Sequence, residues 1–336
     1  MKHISFPDIG QYRQLIRNVA SHAQYVGKDA NGDPIYDNNK PLPVLEFEGT
    51  TKLHGTNAAF CSDYKDLWFQ SRERLLTIDS DNAGFVRHFE PHTNLLKNLC
   101  YKAGRGFNEA TVCIYGEWCG SGIQKGVGIS TLPKMFVAFA VRVGGTWLDR
   151  EAVSEIRARD IGIYNIYDYP TWKMTIDFAN PIESQNKLVE ITQAVEQECP
   201  VAKAFGKSGV GEGVVWKCIT PDYEDSKFWM KVKGEKHSVS KVTKLASVDM
   251  ERVGTQNEFV TNTVTEARCL QSISKLKESG KPLDRTSLGD FIKWIFNDII
   301  KEETDTATAN GLDISKLGGP IAHAAKAWFF KNENSL

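Results

Sequence analysis

Thr51-Lys52-Leu53-His54-Gly55-Thr56-Asn57 is a polar turn set between two apolar runs. Ahead of it, residues 44–48 alternate apolar and acidic side chains, the period-two pattern of a half-buried strand. Behind it, Ala58-Ala59-Phe60-Cys61 and Leu67-Trp68-Phe69 flank Asp63-Tyr64-Lys65-Asp66 and read as a pair of short strands. Lys52 therefore closes one strand, and the loop after it opens the next. Taken alone, Lys-x-x-Gly is a common pattern, and Lys52 reads equally well as a solvated surface charge.

Outward from this point the chain stays rich in strands. Residues 112–115, 135–141, 213–217 and 228–232 are further strand candidates, and Asn31-Gly32 marks a hairpin loop. Helices are expected near 82–102, 149–160 and 183–198. Beyond about residue 245 the period changes. Val260, Val264, Ala267, Leu270 and Ile273 recur at helical steps over 257–277, and Leu288, Phe291, Ile292, Ile295 and Ile299 do so over 288–303. A last helix is expected over 321–330, opened by Pro320. The pattern gives an α+β domain at 1–244 and a small helical domain at 245–336. No internal repeat or low-complexity segment interrupts it.

Composition narrows the function. The chain has 336 residues, 41% hydrophobic and 25% charged, an ordinary globular make-up. Its longest wholly apolar run, residues 135–141, is far too short to span a membrane. The first residues carry no apolar leader, and seven cysteines without a C-x-x-C pair read as reduced thiols, so a cytoplasmic location is expected. With 41 basic and 42 acidic residues the chain is no bulk-charge nucleic-acid binder, although a local basic groove remains open to it. Gly206-Lys207-Ser208 lacks the upstream glycine of a P-loop, because position 201 is Val. The glycines at 120, 122, 126 and 128 miss the dinucleotide-binding spacing, and Pro91 breaks the helical spacing of His88 and His92 that a zinc pair needs. No Gly-x-Ser-x-Gly elbow is present.

Five ordered segments remain: Lys52-Leu53-His54-Gly55-Thr56-Asn57, Ser71-Arg72, Gly116-Glu117-Trp118, Glu212-Gly213-Val214-Val215-Trp216-Lys217 and Met230-Lys231-Val232-Lys233. Together they resemble the nucleotidyl-transfer motifs of RNA ligases, DNA ligases and mRNA capping enzymes. Within that superfamily the set is similar to bacteriophage RNA ligase 2 and the kinetoplastid RNA-editing ligases. His54 stands where DNA ligases carry Asp. The run from Gly116 to Lys125 follows Gly-Glu-x-x-Gly-x-Gly-Ile-Gln-Lys. The tail is helical where a DNA ligase or capping enzyme would continue into an OB-fold.

The resemblance implies an ATP-grasp-like nucleotidyltransferase domain of antiparallel sheets flanked by helices, and an ATP-dependent RNA ligase. It implies sealing of 3′-hydroxyl and 5′-phosphate ends, in nicked duplex RNA, by a monomer of phage type engaged in RNA repair. A hydroxyl cannot expel phosphate oxygen unaided, so an amine first takes up AMP and passes it on. Lys52 is the expected nucleophile. An ordinary lysine, with a pKa of about 10.4, is protonated at neutral pH, so nearby positive charge or desolvation must activate it. Lys231 and Lys233 alternate with apolar residues, share a strand face, and are placed to supply that charge. By resemblance Arg72 contacts the nucleotide, Glu117 the ribose, and Phe139 stacks on adenine. His54 and Asn57 serve phosphate transfer, Glu212 acts beside Lys52, and Lys217 is a weaker candidate for a phosphate contact. Glu117 and Glu212 are the expected ligands of Mg²⁺, partly through water, with Mn²⁺ as a substitute. The basic run Lys231, Lys233, Lys236, Lys241 and Lys244 is expected to track RNA phosphate.

Two positions depart from the family pattern. Thr51 stands where an acidic residue often precedes the lysine, which bears on the choice of base. Ala140 follows Phe139 where Asp is common. The competing readings are a DNA ligase, a capping-type guanylyltransferase, and a non-catalytic RNA-binding protein.

Overall fold

The structure, a computed structural model, describes residues 1–63, 65–104, 110–237, 256–309 and 311–333. It divides into two compact units, Met1–Lys236 and His237–Leu336. The boundary expected at 244/245 lies outside the described residues, as do Lys241 and Lys244 of the basic run. Among the described residues, no helix is long and apolar enough to cross a membrane.

The first unit opens with helix α1 (Tyr12–Gln24), which buries Tyr12, Leu15 and Val19. Its Gln11 and Gln14 side chains close a capping box. The expected hairpin follows as β1 (Tyr25–Lys28) and β2 (Pro34–Tyr36), turned by Gly32 at φ +89°. Then come β3 (Val44–Lys52), β4 (Thr56–Ser62), β5 (Leu67–Ser71) and β6 (Leu75–Leu76). The helical stretch expected near 82–102 is split at Pro91 into α2 (Phe85–Phe89), a short 3₁₀ turn and α3 (Thr93–Ala103). Next are β7 (Val112–Cys119), β8 (Met135–Val143), β9 (Thr146–Trp147) and α4 (Arg150–Ser154). The helix expected over 149–160 stops after this short α4. The remainder is β10 (Ile163–Asn165), β11 (Thr171–Asp177), α5 (Ile182–Gln197), α6 (Pro200–Ala204), β12 (Gly213–Cys218) and β13 (Met230–Lys233). The strand expected from residue 228 starts at Met230, because Asp225 caps a 3₁₀ turn over Ser226–Phe228.

Two sheets result. The larger runs β10-β8-β7-β4-β5-β6, with β9 beside β8. All its pairs are antiparallel except β10 with β8. The smaller sheet is β11-β3-β12-β13, antiparallel throughout. One face of the larger sheet buries Phe60, Trp118 and Phe136 against Phe85, Phe89 and Leu96 of the helices. The other face buries Ala59, Cys61, Tyr115 and Ala140 with Phe6 and Trp229. Covering on both faces explains why β4 is apolar on consecutive residues instead of alternating.

The second unit is all helix among its described residues. The stretch expected as one helix over 257–277 is two, α7 (Gln256–Thr263) and α8 (Glu266–Glu278). Thr265 causes the break by capping α8, its hydroxyl accepting from Arg268 N–H. Helix α9 (Leu288–Ala309) buries Phe291, Ile295 and Ile299 on a four-residue step, and α10 (Gly318–Asn332) does the same with Ile321, Ala325 and Phe329.

Candidate active site

Three strand ends meet beside Lys52. In the smaller sheet Gly213 of β12 lies opposite Lys52 of β3 on one side and Lys233 of β13 on the other. Only glycine fits there: φ is +150°, and a Cβ would come within 2.1 Å of the Val232 carbonyl oxygen. Glu212, the residue before it, is thereby set between the two lysines. Its carboxylate lies 2.7 Å from Lys52 Nζ, 3.2 Å from Lys233 Nζ and 3.4 Å from His54 Nδ1.

The electrostatics of this cluster follow from its burial. The Glu212 side chain is 3% exposed, against 22% for Lys52, 18% for Lys233 and 32% for His54. Burial alone would raise the Glu212 carboxyl, but Lys52, then Lys233 and His54, overcome it and hold the group well below the usual carboxylate range. The anion is sealed inside while the cations reach outward. Lys231 stands two residues before Lys233 on the same strand face, opposite Val215.

The larger sheet supplies the second wall. Asn57 of β4 faces Glu117 of β7 in register. Glu117 does not simply point at solvent: its Oε1 accepts from Gly55 N–H at 3.0 Å. Gln124 donates to the Gly55 carbonyl at 3.5 Å, and a Cβ on Gly55 would meet the Trp118 carbonyl oxygen at 2.3 Å. The Gly116–Lys125 run thus clamps both polar groups of the Gly55 peptide and fixes the turn that carries Lys52 and His54.

Phe139 sits at an irregularity. Tyr115 pairs with Ala140 and Gly116 with Ala138, so Phe139 is the extra residue of a bulge on β8. Its ring is half-buried, edge-on to Phe6 at 5.2 Å between centroids. Lys217, a weaker candidate for a phosphate contact, donates to the Phe139 carbonyl at 2.6 Å and lies over the Trp229 ring at 4.7 Å. Burial pushes its ammonium down to about 8, with Glu48 pulling the other way. Arg72 lies beyond the end of β5, its guanidinium over the Phe6 ring at 5.8 Å and 3.4 Å from Asp8.

Lys52, His54, Glu212 and Lys233 are therefore in one contact network, Asn57 and Glu117 are joined by strand register, and Arg72 and Phe139 meet through Phe6. Sequence reasoning missed Phe6 and Asp8, which carry no motif, and the tie between Lys217 and Phe139. Among the described residues, no group of three or more His, Cys, Asp or Glu is gathered to hold a metal alone.

A family model described as RNA ligase matches residues 45–233. Solved structures of an RNA ligase from Naegleria gruberi are similar over 69% of this chain. A mutant of it with ATP and Mn aligns at 16% identity and a TM-score of 0.44. Another with AMP and Mn gives 15% and 0.44, and the ligase with PPi 15% and 0.43. This chain spans only 56–57% of the length of those proteins. Among curated proteins, none matches it.

Proposed function

Because the chain belongs to the RNA ligase family, we propose that it seals RNA ends with ATP through a covalent adenylate on Lys52. The observation that carries this reading is the Lys52–Glu212–Lys233 cluster at three adjacent strand ends. In the first step Lys52 Nζ gives up a proton and attacks the α-phosphorus. A phosphorus–nitrogen bond forms as the bond to pyrophosphate breaks. Lys231 and Lys233 hold the phosphate oxygens and offset their charge. In the second step the RNA 5′-phosphate takes the AMP from Lys52. In the third, the 3′-hydroxyl attacks that phosphate and AMP leaves. His54 and Asn57 border the point where these transfers occur. Phe139 offers a ring face to the base, and Arg72 and Glu117 engage the nucleotide.

Glu117 and Glu212 suit a divalent cation as partial ligands only. Two carboxylates already engaged with Gly55 and the lysines leave most of the coordination shell to nucleotide oxygens and water, which is how Mg²⁺ prefers to bind. Such an ion would add positive charge at the phosphates undergoing transfer.

The phage RNA ligase 2 and editing-ligase branch is the finer proposal. His54, the Gly116–Lys125 run and the helical second unit support it, and with it a nicked duplex as substrate. The helices of the second unit, among its described residues, favour this reading over a DNA ligase or a capping enzyme. Every residue invoked lies in the first unit, so a monomer suffices, and the second unit is left to hold RNA. Intact-mass measurement after incubation with ATP and Mg²⁺ tests the reading. Wild type gains one AMP and Lys52→Ala gains none. An adduct that survives in Lys52→Ala, or is absent from wild type, removes it.

A further inference from the structure

Residues 3–10 cross from one sheet to the other. At the larger sheet His3 Nε2 lies 3.0 Å from the Ser71 carbonyl oxygen, and Ile4 and the Gln70 side-chain amide exchange hydrogen bonds in both directions. The Ser5 hydroxyl donates to the Arg72 carbonyl at 2.7 Å, and Tyr115 Oη to the Ile4 carbonyl at 2.8 Å. At the smaller sheet Gly10 bridges to Met230, and its carbonyl accepts from Lys231 N–H at 2.8 Å. The backbones of Arg72 and Lys231 are thus tied to Ser5 and Gly10. Five residues at full stretch reach at most about 18 Å, so this segment sets an upper limit on how far those two walls can part.

Phe6 is the one fully buried side chain among residues 3–10. Its ring packs at 5.2 Å from both Tyr115 and Phe139, 5.7 Å from Trp147 and 6.1 Å from Trp229. The same ring lies under the Arg72 guanidinium at 5.8 Å. Asp8, two residues on, approaches that guanidinium from the same segment at 3.4 Å. One short stretch therefore touches the Phe139 ring and the Arg72 guanidinium with side chains, the Arg72 carbonyl with the Ser5 hydroxyl, and Lys231 with a backbone hydrogen bond. A segment needed only to fill the core would not have to reach all three.

We propose that residues 3–10 form a strap that preorganises the nucleotide end of the site, and that Phe6 is a positioning residue acting through Phe139 and Arg72. This rests on the ligase reading above. With the strap seated, the base-facing ring and the guanidinium are held before the nucleotide arrives, which lowers the ordering cost of binding. Phe6 touches no reacting atom, so its loss should weaken nucleotide binding and leave the transfer step alone.

The test measures the rate of adenylate formation on the full-length chain by intact mass as ATP is varied, for wild type, Phe6→Leu and Ser5→Ala. Phe6→Leu keeps apolar bulk and removes the flat ring. It should raise the ATP concentration for half-maximal rate about tenfold, the scale of one aromatic pair plus one cation–ring contact, with the maximal rate nearly unchanged. Ser5→Ala, at an exposed position, should raise it about threefold, the scale of one net hydrogen bond. A fall in melting temperature with wild-type ATP dependence in both variants makes the segment a structural filler and overturns the proposal. So does a loss confined to the maximal rate. A wild type that forms no adduct overturns the ligase reading together with this one, whereas a normal wild type beside unaffected variants removes the strap alone.

Discussion

Each unit of this chain buries an ion among side chains that offset it, and the two clusters differ in how far those partners are closed off from solvent. In the first unit the buried ion is the Glu212 carboxylate, ringed by Lys52, Lys233 and His54. In the second it is the Arg268 guanidinium, wholly buried among Asp298, Glu302 and Glu303 and donating also to the Thr263 carbonyl. The partners of Arg268 are themselves nearly closed off, at 15%, 6% and 1% exposure. Those of Glu212 reach solvent. A closed cluster has no room for a further ligand and can only hold helices together. A cluster whose outer members are accessible can trade an internal anion for an external one. Burial of the partners, not of the central ion, is what separates the two clusters.

The largest effect that would break this contrast lies in the second unit. Arg268→Met leaves carboxylates buried without their cation, a loss of about 3–5 kcal/mol. Urea unfolding followed by helical circular dichroism should show the second unit melting early, while Lys52 still takes up AMP. Loss of AMP uptake with the first unit folded would show that the helical unit takes part in the first chemical step.

Next is Glu212→Gln, which keeps size and removes charge. Adenylate formation should fall by about a hundredfold, the scale of losing one preorganised electrostatic partner. The sign of the pH effect follows from the depressed carboxyl. Its stabilisation is fully present above the ordinary value of 4.5 and is lost as pH falls through the lower native value. The stability difference between wild type and Glu212→Gln should therefore be flat from pH 5 upward, within about 0.5 kcal/mol, and shrink in acid. A difference that instead grew in acid would show the carboxylate to be unpaired in the fold.

A third effect, spread over more than two pH units, concerns Lys217, held by the Phe139 carbonyl. Its native value of about 8 lies below the ordinary 10.5, so between these the unfolded chain binds more protons. Wild-type stability should gain on Lys217→Met as pH rises through that window, by at most about 1.4 kcal/mol per pH unit. Paired urea titrations would read it, and a flat difference would show that the ammonium is solvated.

Much of the fold was legible because the core alternates or repeats with a clear period. The helical tail follows from Phe291, Ile295 and Ile299, and its extra break only from Thr265, whose capping role local periodicity hides. Helix α1 went unread although the signal was there: Tyr12, Leu15, Ile16 and Val19 recur at three- and four-residue steps along one helix face. The motifs named Lys52, Glu212 and Lys233 one by one, but nothing in their spacing states that Gly213 sets one between the others. Phe6 left no trace at all, because one aromatic ring in a short segment without a motif looks the same whether it packs or not.

The order and chemical identity of the motif residues, the strand-then-helix organisation and the near-neutral charge were determined by the sequence alone, since each depends on local pattern or composition. Which carboxylate faces which amine, which lysine turns inward to hold a carbonyl, and which residues tie the two sheets together were decided by tertiary structure. Those relations join positions as far apart as 52 and 212 or 10 and 231, and they exist only once strand register and burial have brought them within reach.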